Sequence, residues 1–264
     1  MRPGICLDGQ IGHWRTPCCA FSSIFNSKLL VPDNPFLHDA GAHQPRRPAC
    51  ATCLRPQSAC ICRWITPVAH PVEVLILQHP LEVNHAKGSA RLLHLSLAGS
   101  RLLTGEVFDL PTLLGAPAAH AAAADTASAA APASASGPRR SILLYPDTPP
   151  GPAGDLAAPP PLAPAWLLAP ARLRLVVLDG TWRKSRKLLQ LNPALQRLPR
   201  LALQGMPASR YLIRKAHRPD QLSTLEATCA ALAQLEGGMQ RFAPLLAAFD
   251  GFVARQLAWR GGTG

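Results

Sequence analysis

Acidic side chains are scarce in this chain of 264 residues. Asp and Glu number 15 against 27 Lys and Arg, which leaves a formal net charge of +12. Such an excess favours nucleic acid, an anionic membrane surface or an acidic protein as partner. No apolar run approaches the roughly 20 residues of a membrane span, so no membrane association is expected. The first thirty residues lack an apolar stretch followed by a small-residue cleavage site, so a secretory signal is not expected either. Without a secretory route, eight cysteines are poor candidates for a disulfide framework. The expectation is a cytoplasmic protein whose thiols are reduced or bound to a metal. No internal repeat is found. The length suits one sizeable core, or one core plus a small module.

Periodicity divides what is present. Residues 1–45 show no sustained pattern and read as a disordered extension. Residues 46–70 hold a compact cysteine module, and residues 71–264 carry the larger domain. In that domain, residues 72–78 read as an apolar, β-branched strand between Pro71 and Pro80. Residues 86–97 have helical spacing, with Leu92, Leu93 and Leu97 on one side. Further strands are expected at 141–145, 173–178 and 198–203, and an extended segment at 210–215. Two stretches, 115–137 and 149–170, are nearly all Ala, Pro and Ser. They are too poor in bulky apolar residues to build a core and read as loops or tethers inserted in the domain. Two helices close the chain. The first opens on Ser223-Thr224-Leu225-Glu226, a capping-box pattern. The second, over 239–259, carries an apolar stripe that includes Phe242, Leu245 and Phe249. Strands alternating with helices predict an α/β fold with a mainly parallel sheet and flanking helices.

Two clusters carry chemistry. Cys50, Cys53, Cys60 and Cys62 place four thiols within thirteen residues, with Arg55-Pro56 between the pairs. Two close pairs can supply the four soft ligands of a zinc tetrahedron. A redox pair would account for only two of them, and inert thiols for none of the spacing. The second cluster is Asp179-Gly180-Thr181-Trp182-Arg183-Lys184-Ser185-Arg186-Lys187. It sets a carboxylate at the carboxyl end of a strand, where open α/β sheets place their ligands. Four cations follow within five residues. An acid beside a dense positive patch suggests chemistry on a polyanion. Asp179 reads equally as a helix cap.

Together these pieces resemble the DTW-domain family of tRNA-uridine aminocarboxypropyltransferases. The motif of that name stands here as Asp179-Gly180-Thr181-Trp182. Other matching pieces follow the family's order. They are the four cysteines around Arg55-Pro56, His79-Pro80-Leu81-Glu82, Lys87-Gly88-Ser89-Ala90-Arg91-Leu92, Leu144-Tyr145-Pro146, Ser209-Arg210-Tyr211-Leu212-Ile213-Arg214-Lys215 and Leu222-Ser223-Thr224-Leu225-Glu226-Ala227. The run Asn84-His85-Ala86-Lys87-Gly88-Ser89-Ala90-Arg91 departs from the family's usual pattern. The resemblance spans residues 48–260.

The resemblance implies transfer of the 3-amino-3-carboxypropyl group of S-adenosylmethionine to N3 of a uridine in tRNA, with 5′-methylthioadenosine released. It also implies a SPOUT-like carboxyl half containing a knot, beside a small zinc-binding module. Asp179 becomes the candidate base for the N3 proton. His79, Thr181, Trp182, Ser223 and Glu226 become candidates for holding S-adenosylmethionine, Trp182 by stacking and the helix beginning at Ser223 by receiving a carboxylate. Arg183, Arg186 and Lys187, with Arg210, Arg214 and Lys215, become candidates for the RNA phosphates. Two readings compete. A methyltransferase would use the same RNA and donor, and a zinc-containing RNA-binding module would do no chemistry.

Overall fold

Five short segments rich in Leu, Val and Ile pair side by side in the computed structural model, which describes residues 48–115, 139–147, 158–204, 209 and 222–261. They are β1 (Glu73–Gln78), β2 (Arg101–Thr104), β3 (Arg140–Leu144), β4 (Leu173–Asp179) and β5 (Arg200–Leu201). All run parallel, in the spatial order β2-β1-β4-β3-β5. Parallel strands need crossovers that cover the sheet on both faces. The central strand β4 and its neighbour β1 are accordingly almost wholly buried. The helices are α1 (Ala90–Ser96), α2 (Leu110–Leu114), α3 (Pro164–Leu167), α4 (Trp182–Leu191), α5 (Pro193–Gln196), α6 (Thr224–Glu236) and α7 (Ala243–Gly261).

Strand alternation sorts the apolar side chains into two layers. Val74, Ile76, Ile142, Leu173, Leu175 and Val177 face one way and meet α1, α6 and α7. Leu75, Leu77, Leu143, Val176 and Leu178 face the other and meet α2, α4 and α5. The first layer also takes in Cys53, Ile61, Trp64 and Val68, so the cysteine segment shares that core. Trp64 is its anchor. Its ring meets Phe252 of α7 edge to face at 5.7 Å. A Cβ added to Gly251 would lie 2.9 Å from Trp64 Nε1, so only glycine lets α7 approach the indole so closely.

The connections create a crevice. The chain leaving β1 runs into α1 on the first face, whereas the chain leaving β4 runs into α4 on the second. Since β1 and β4 are neighbours, the sheet order reverses between them. Their carboxyl ends, Gln78 and Asp179, stand side by side in register. Such a switch point is where doubly wound sheets bind ligands.

The expected strands at 72–78, 141–145 and 173–178 form within a residue of those bounds. The strand expected at 198–203 pairs over only Arg200–Leu201. The helix expected from residue 86 begins at Ala90 instead, because Ala86 and Lys87 make a turn and the Ala86 and Gly88 carbonyls are taken by Arg55. Within 149–170, Pro164–Leu167 is helical and packs Trp166 and Leu167 on the core. Residues 1–45, 115–137 (apart from Gly115) and 210–215 lie outside the described residues. Among the described residues, no helix is long and apolar enough to cross a membrane.

Candidate active site

Asp179 ends β4 and is 6% exposed. It lies on the α6 face, by the strand alternation that puts Leu175 and Val177 there. Both carboxylate oxygens accept hydrogen bonds. Gln78 Nε2 donates to Oδ2 at 2.8 Å, and Thr224 Oγ1 donates to Oδ1 at 2.6 Å. Register brings the first partner and the start of α6 brings the second. Gly180 then turns the chain tightly into α4, since a Cβ there would come within 3.0 Å of Lys184 Cβ. Thr181 caps α4 in an extended conformation, and its side chain makes no capping hydrogen bond.

Two basic residues of α4 tie that helix to the loops beyond β1 and β2. Lys184 pairs with Glu82 at 2.8 Å, and Lys187 pairs with Glu106 at 2.7 Å. Glu106 also faces His79 Nε2 at 3.0 Å. His79 is 2% exposed, and its Nδ1 accepts the Leu81 N–H at 3.2 Å. The ring proton therefore sits on Nε2 and points at Glu106. The hydrogen bond from Lys187, reinforced by Lys187 charge and the His79 donor, holds Glu106 below the usual carboxylate range. Arg183 is exposed and Arg186 is half-buried.

Trp182 begins α4 and is 56% exposed. Its ring stacks on Tyr145 with centroids 5.0 Å apart and planes 15° from parallel. Tyr145 lies buried just beyond β3, and the Arg200 guanidinium sits 5.3 Å from its ring centroid. Burial raises the Tyr145 phenol above its ordinary range, against the pull of Arg200 and Arg186. The result is an indole held flat, at the carboxyl end of the sheet, on a buried base.

At the start of α6 the capping box is complete. Glu226 N–H donates to Ser223 Oγ at 3.2 Å, and Ser223 N–H donates to Glu226 Oε2 at 2.8 Å. Ser209 Oγ adds a bond to Glu226 Oε2 at 2.8 Å. The Leu225 N–H is taken by Ser89 Oγ at 3.3 Å. Ser223 and Glu226 are thus engaged in building the helix end, and two of its first three N–H donors are occupied. The side chain this end offers to the crevice is Thr224, which is half-buried.

The cysteine cluster fits a metal by its donor geometry. The four Sγ atoms of Cys50, Cys53, Cys60 and Cys62 all lie within 4.8 Å of one another. Cys50 and Cys62 are 3.5 Å apart, and Cys53 and Cys60 are 3.9 Å apart. A zinc–sulfur bond of about 2.3 Å gives a tetrahedral edge of about 3.8 Å, which these separations bracket. The thiols are free. Backbone N–H groups of Cys53 and Thr52 lower the Cys50 thiol to about 6, whereas burial first, and then the hydrogen bond with Cys50, push Cys62 to about 12.

The structure brings Asp179, Thr181, Trp182, His79, Ser223 and Glu226 to the same end of the sheet, on the segments that follow β1 and β4 and at the start of α6. Arg210, Arg214 and Lys215 lie outside the described residues. Sequence reasoning assigns no site role to Gln78, Tyr145, Thr224, Glu106 or Arg55, although Arg55, Tyr145 and Thr224 stand in the motifs it singles out. Of these, Gln78 is legible as the last residue of a strand, the same position that marks Asp179. The others depend on contacts across 27 to 81 residues of chain, which spacing does not reveal.

No solved structure matches the chain. Curated proteins do. It is similar to tRNA-uridine aminocarboxypropyltransferase 2 of Drosophila melanogaster, 30% identical over 198 residues, covering 72% of this chain and 68% of that one. The Macaca fascicularis and Mus musculus proteins of the same name are each 26% identical. The match spans only 57% and 58% of those two chains, and 72% and 74% of this one. The family model of the DTW domain matches residues 47–257, a span that takes in the cysteine cluster, the β1–β4 crevice and α6. The chain belongs to the DTW-domain family.

Proposed function

We propose that this protein is a tRNA-uridine aminocarboxypropyltransferase that moves the 3-amino-3-carboxypropyl group of S-adenosylmethionine to N3 of a uridine in tRNA. The single observation that carries the chemistry is the Gln78–Asp179–Thr224 constellation at the β1/β4 switch point. Uracil N3 is a weak acid and must lose its proton before it attacks carbon. In this reading the new N3–C bond forms as the bond from the methionine γ-carbon to sulfur breaks. The sulfur keeps the electron pair and leaves as the neutral thioether 5′-methylthioadenosine. The N3 proton passes to the Thr224–Asp179 pair. Thr224 is the half-buried end of that pair, and its hydroxyl can accept a proton as it hands its own to Asp179. Gln78 fixes the carboxylate from the other side.

Trp182, backed by Tyr145, is suited to stack on adenine or on the target base, a contact worth about 1–3 kcal/mol. Thr181, with a hydroxyl not used in capping, is suited to bind the donor beside it. His79, with both ring nitrogens engaged, serves by holding the turn after β1. Ser223 and Glu226 serve the same donor by fixing the start of α6. Arg183, Arg186 and Lys187, with Arg210, Arg214 and Lys215, would position RNA through its phosphates. Zinc would be held by Cys50, Cys53, Cys60 and Cys62 as a structural cross-link. A SPOUT-like knot in the carboxyl half belongs to the same proposal. True knots are rare, and a sheet that inserts β4 between β1 and β3 is compatible with one.

The test is incubation of purified protein with undermodified tRNA and S-adenosylmethionine, followed by nucleoside analysis by mass spectrometry. The expected products are an aminocarboxypropyl-uridine and 5′-methylthioadenosine. A methylated nucleoside, or no modified nucleoside, would overturn the proposal.

A further inference from the structure

Arg55 lies between the two cysteine pairs, and its backbone is held by Cys50 of the first pair. Its carbonyl accepts the Cys50 N–H at 2.8 Å, and the Leu54 N–H donates to the Cys50 carbonyl at 2.9 Å. Leu54 takes a left-handed φ of 58°, a conformation that costs a residue with a Cβ about 1 kcal/mol or more. The cysteine turn thus imposes the direction in which Arg55 leaves it. The guanidinium then reaches across 31 and 33 residues of chain. Nη1 donates to the Ala86 carbonyl and Nη2 to the Gly88 carbonyl, each at 2.7 Å. One planar fork therefore fixes two carbonyls of one loop, a geometry that a lysine cannot reproduce.

That loop joins the β1/β4 switch point to the start of α6. It begins where β1 ends, and its Glu82 pairs with Lys184 of α4. It ends at Ser89, whose hydroxyl accepts the Leu225 N–H next to Thr224. Residues 86–88 lie outside any helix or strand, so their backbone conformation depends on the bonds made to them. The chain of contacts runs from the cysteine turn through Arg55 to the Gly88 carbonyl, then to Ser89 and the start of α6, and so to Thr224 and Asp179.

We infer that Arg55 is a positioning residue, by which the four-cysteine centre sets the conformation of the 84–89 loop and with it the start of α6. The cysteine centre then serves the crevice directly as well as stabilising its own turn. The loop is ordered only while the cysteine turn is closed, so loss of the metal and loss of the Arg55 fork have the same local effect. The claim about the loop stands on geometry alone. Its consequence for S-adenosylmethionine rests on the transferase reading above.

The experiment is hydrogen–deuterium exchange on the whole protein, read peptide by peptide, for wild type, Arg55→Lys, Arg55→Ala and wild type stripped of metal with a chelator. Two charge-assisted bonds are lost in Arg55→Ala, so exchange over residues 84–90 should rise by about tenfold or more. Peptides of β1 and β4 should be unchanged, and metal content should stay at the wild-type level. Arg55→Lys should lie nearer Arg55→Ala than wild type, because the fork and not the charge is needed. Stripped wild type should show the same rise in the same peptides, which keeps the test open if Arg55→Ala fails to fold. In the transfer assay, Arg55→Lys should raise KM for S-adenosylmethionine more than it lowers kcat. Wild-type exchange over 84–90 in metal-loaded Arg55→Lys or Arg55→Ala, or in stripped wild type, would overturn the inference without touching the transferase reading.

Discussion

Replacing Thr224 by valine tests the link between Asp179 and the crevice with almost no change of shape. The substitution removes one hydroxyl, and with it the 2.6 Å bond to Asp179 Oδ1. Asp179 is 6% exposed, so water cannot freely take the vacated place. A hydrogen bond to a charged group contributes about 1.5–3 kcal/mol, and about 2 kcal/mol is a reasonable loss. For a domain of this size that lowers Tm by about 4–8 °C. The effect on rate should be larger than the effect on stability. If the hydroxyl carries the substrate proton to Asp179, its loss should lower kcat by about 10²–10⁴, the usual contribution of a positioned acid or base. Thr224→Ser keeps the hydroxyl and loses a methyl group, so it should stay within about tenfold of wild type. Thermal unfolding by calorimetry and single-turnover modification of tRNA give the two numbers. Wild-type turnover by Thr224→Val would show that no proton passes through Thr224, and an unchanged Tm would show that the bond to Asp179 is not made.

Three further outcomes follow from particular contacts. Trp182→Ala should leave Tm within about 2 °C, because the ring is mostly exposed, yet weaken binding of tRNA or S-adenosylmethionine by about 10- to 100-fold in calorimetric titration, as the loss of one stacked base implies. Equal affinity in the variant would remove the platform from the site. Gly251→Val should destabilise the fold by about 1–3 kcal/mol, since a Cβ would stand 2.9 Å from the Trp64 indole, and denaturant titration would detect it. An unchanged midpoint would mean that the cysteine segment does not pack on α7 through Trp64. His70 and His94 are both depressed below 6.5 chiefly by burial. A depressed histidine adds stability that is complete above its unfolded pKa of about 6.5 and is lost as pH falls through the folded value. Tm should therefore decline on acidification from pH 7 to 5, and less steeply in His94→Gln. Parallel profiles for the two proteins would remove His94 from the cause.

Much of the α/β frame is legible in local sequence because its strands are short apolar runs with clear ends. Residues 173–178 and 72–78 are bounded by Gly and Pro, and two-sided burial leaves no other pattern for such runs. The capping box at Ser223 is equally local and forms as read. β2 escaped notice because Arg101-Leu102-Leu103-Thr104 is an edge strand with exposed ends and no β-branched alternation. The helix after β1 starts late because Arg55, more than thirty residues away, claims the carbonyls of Ala86 and Gly88. The same non-locality limits the reading of the site. Asp179 was visible as an acid at a strand end, but its partners come from a neighbouring strand by register and from α6 by packing. The basic run after Trp182 reads as a polyanion patch, and in the folded chain Lys184 and Lys187 first hold α4 to acidic loops. Tyr145 gives no sign in sequence that it carries an indole.

The most direct measurement is the yield of aminocarboxypropyl-uridine per tRNA from Asp179→Asn, a substitution that keeps the size of the side chain and removes its charge. The account predicts a folded protein that still binds tRNA and modifies it at least about 100-fold more slowly than wild type. Modification at the wild-type rate would contradict it, because the carboxylate at the β1/β4 junction would then have no part in the transfer.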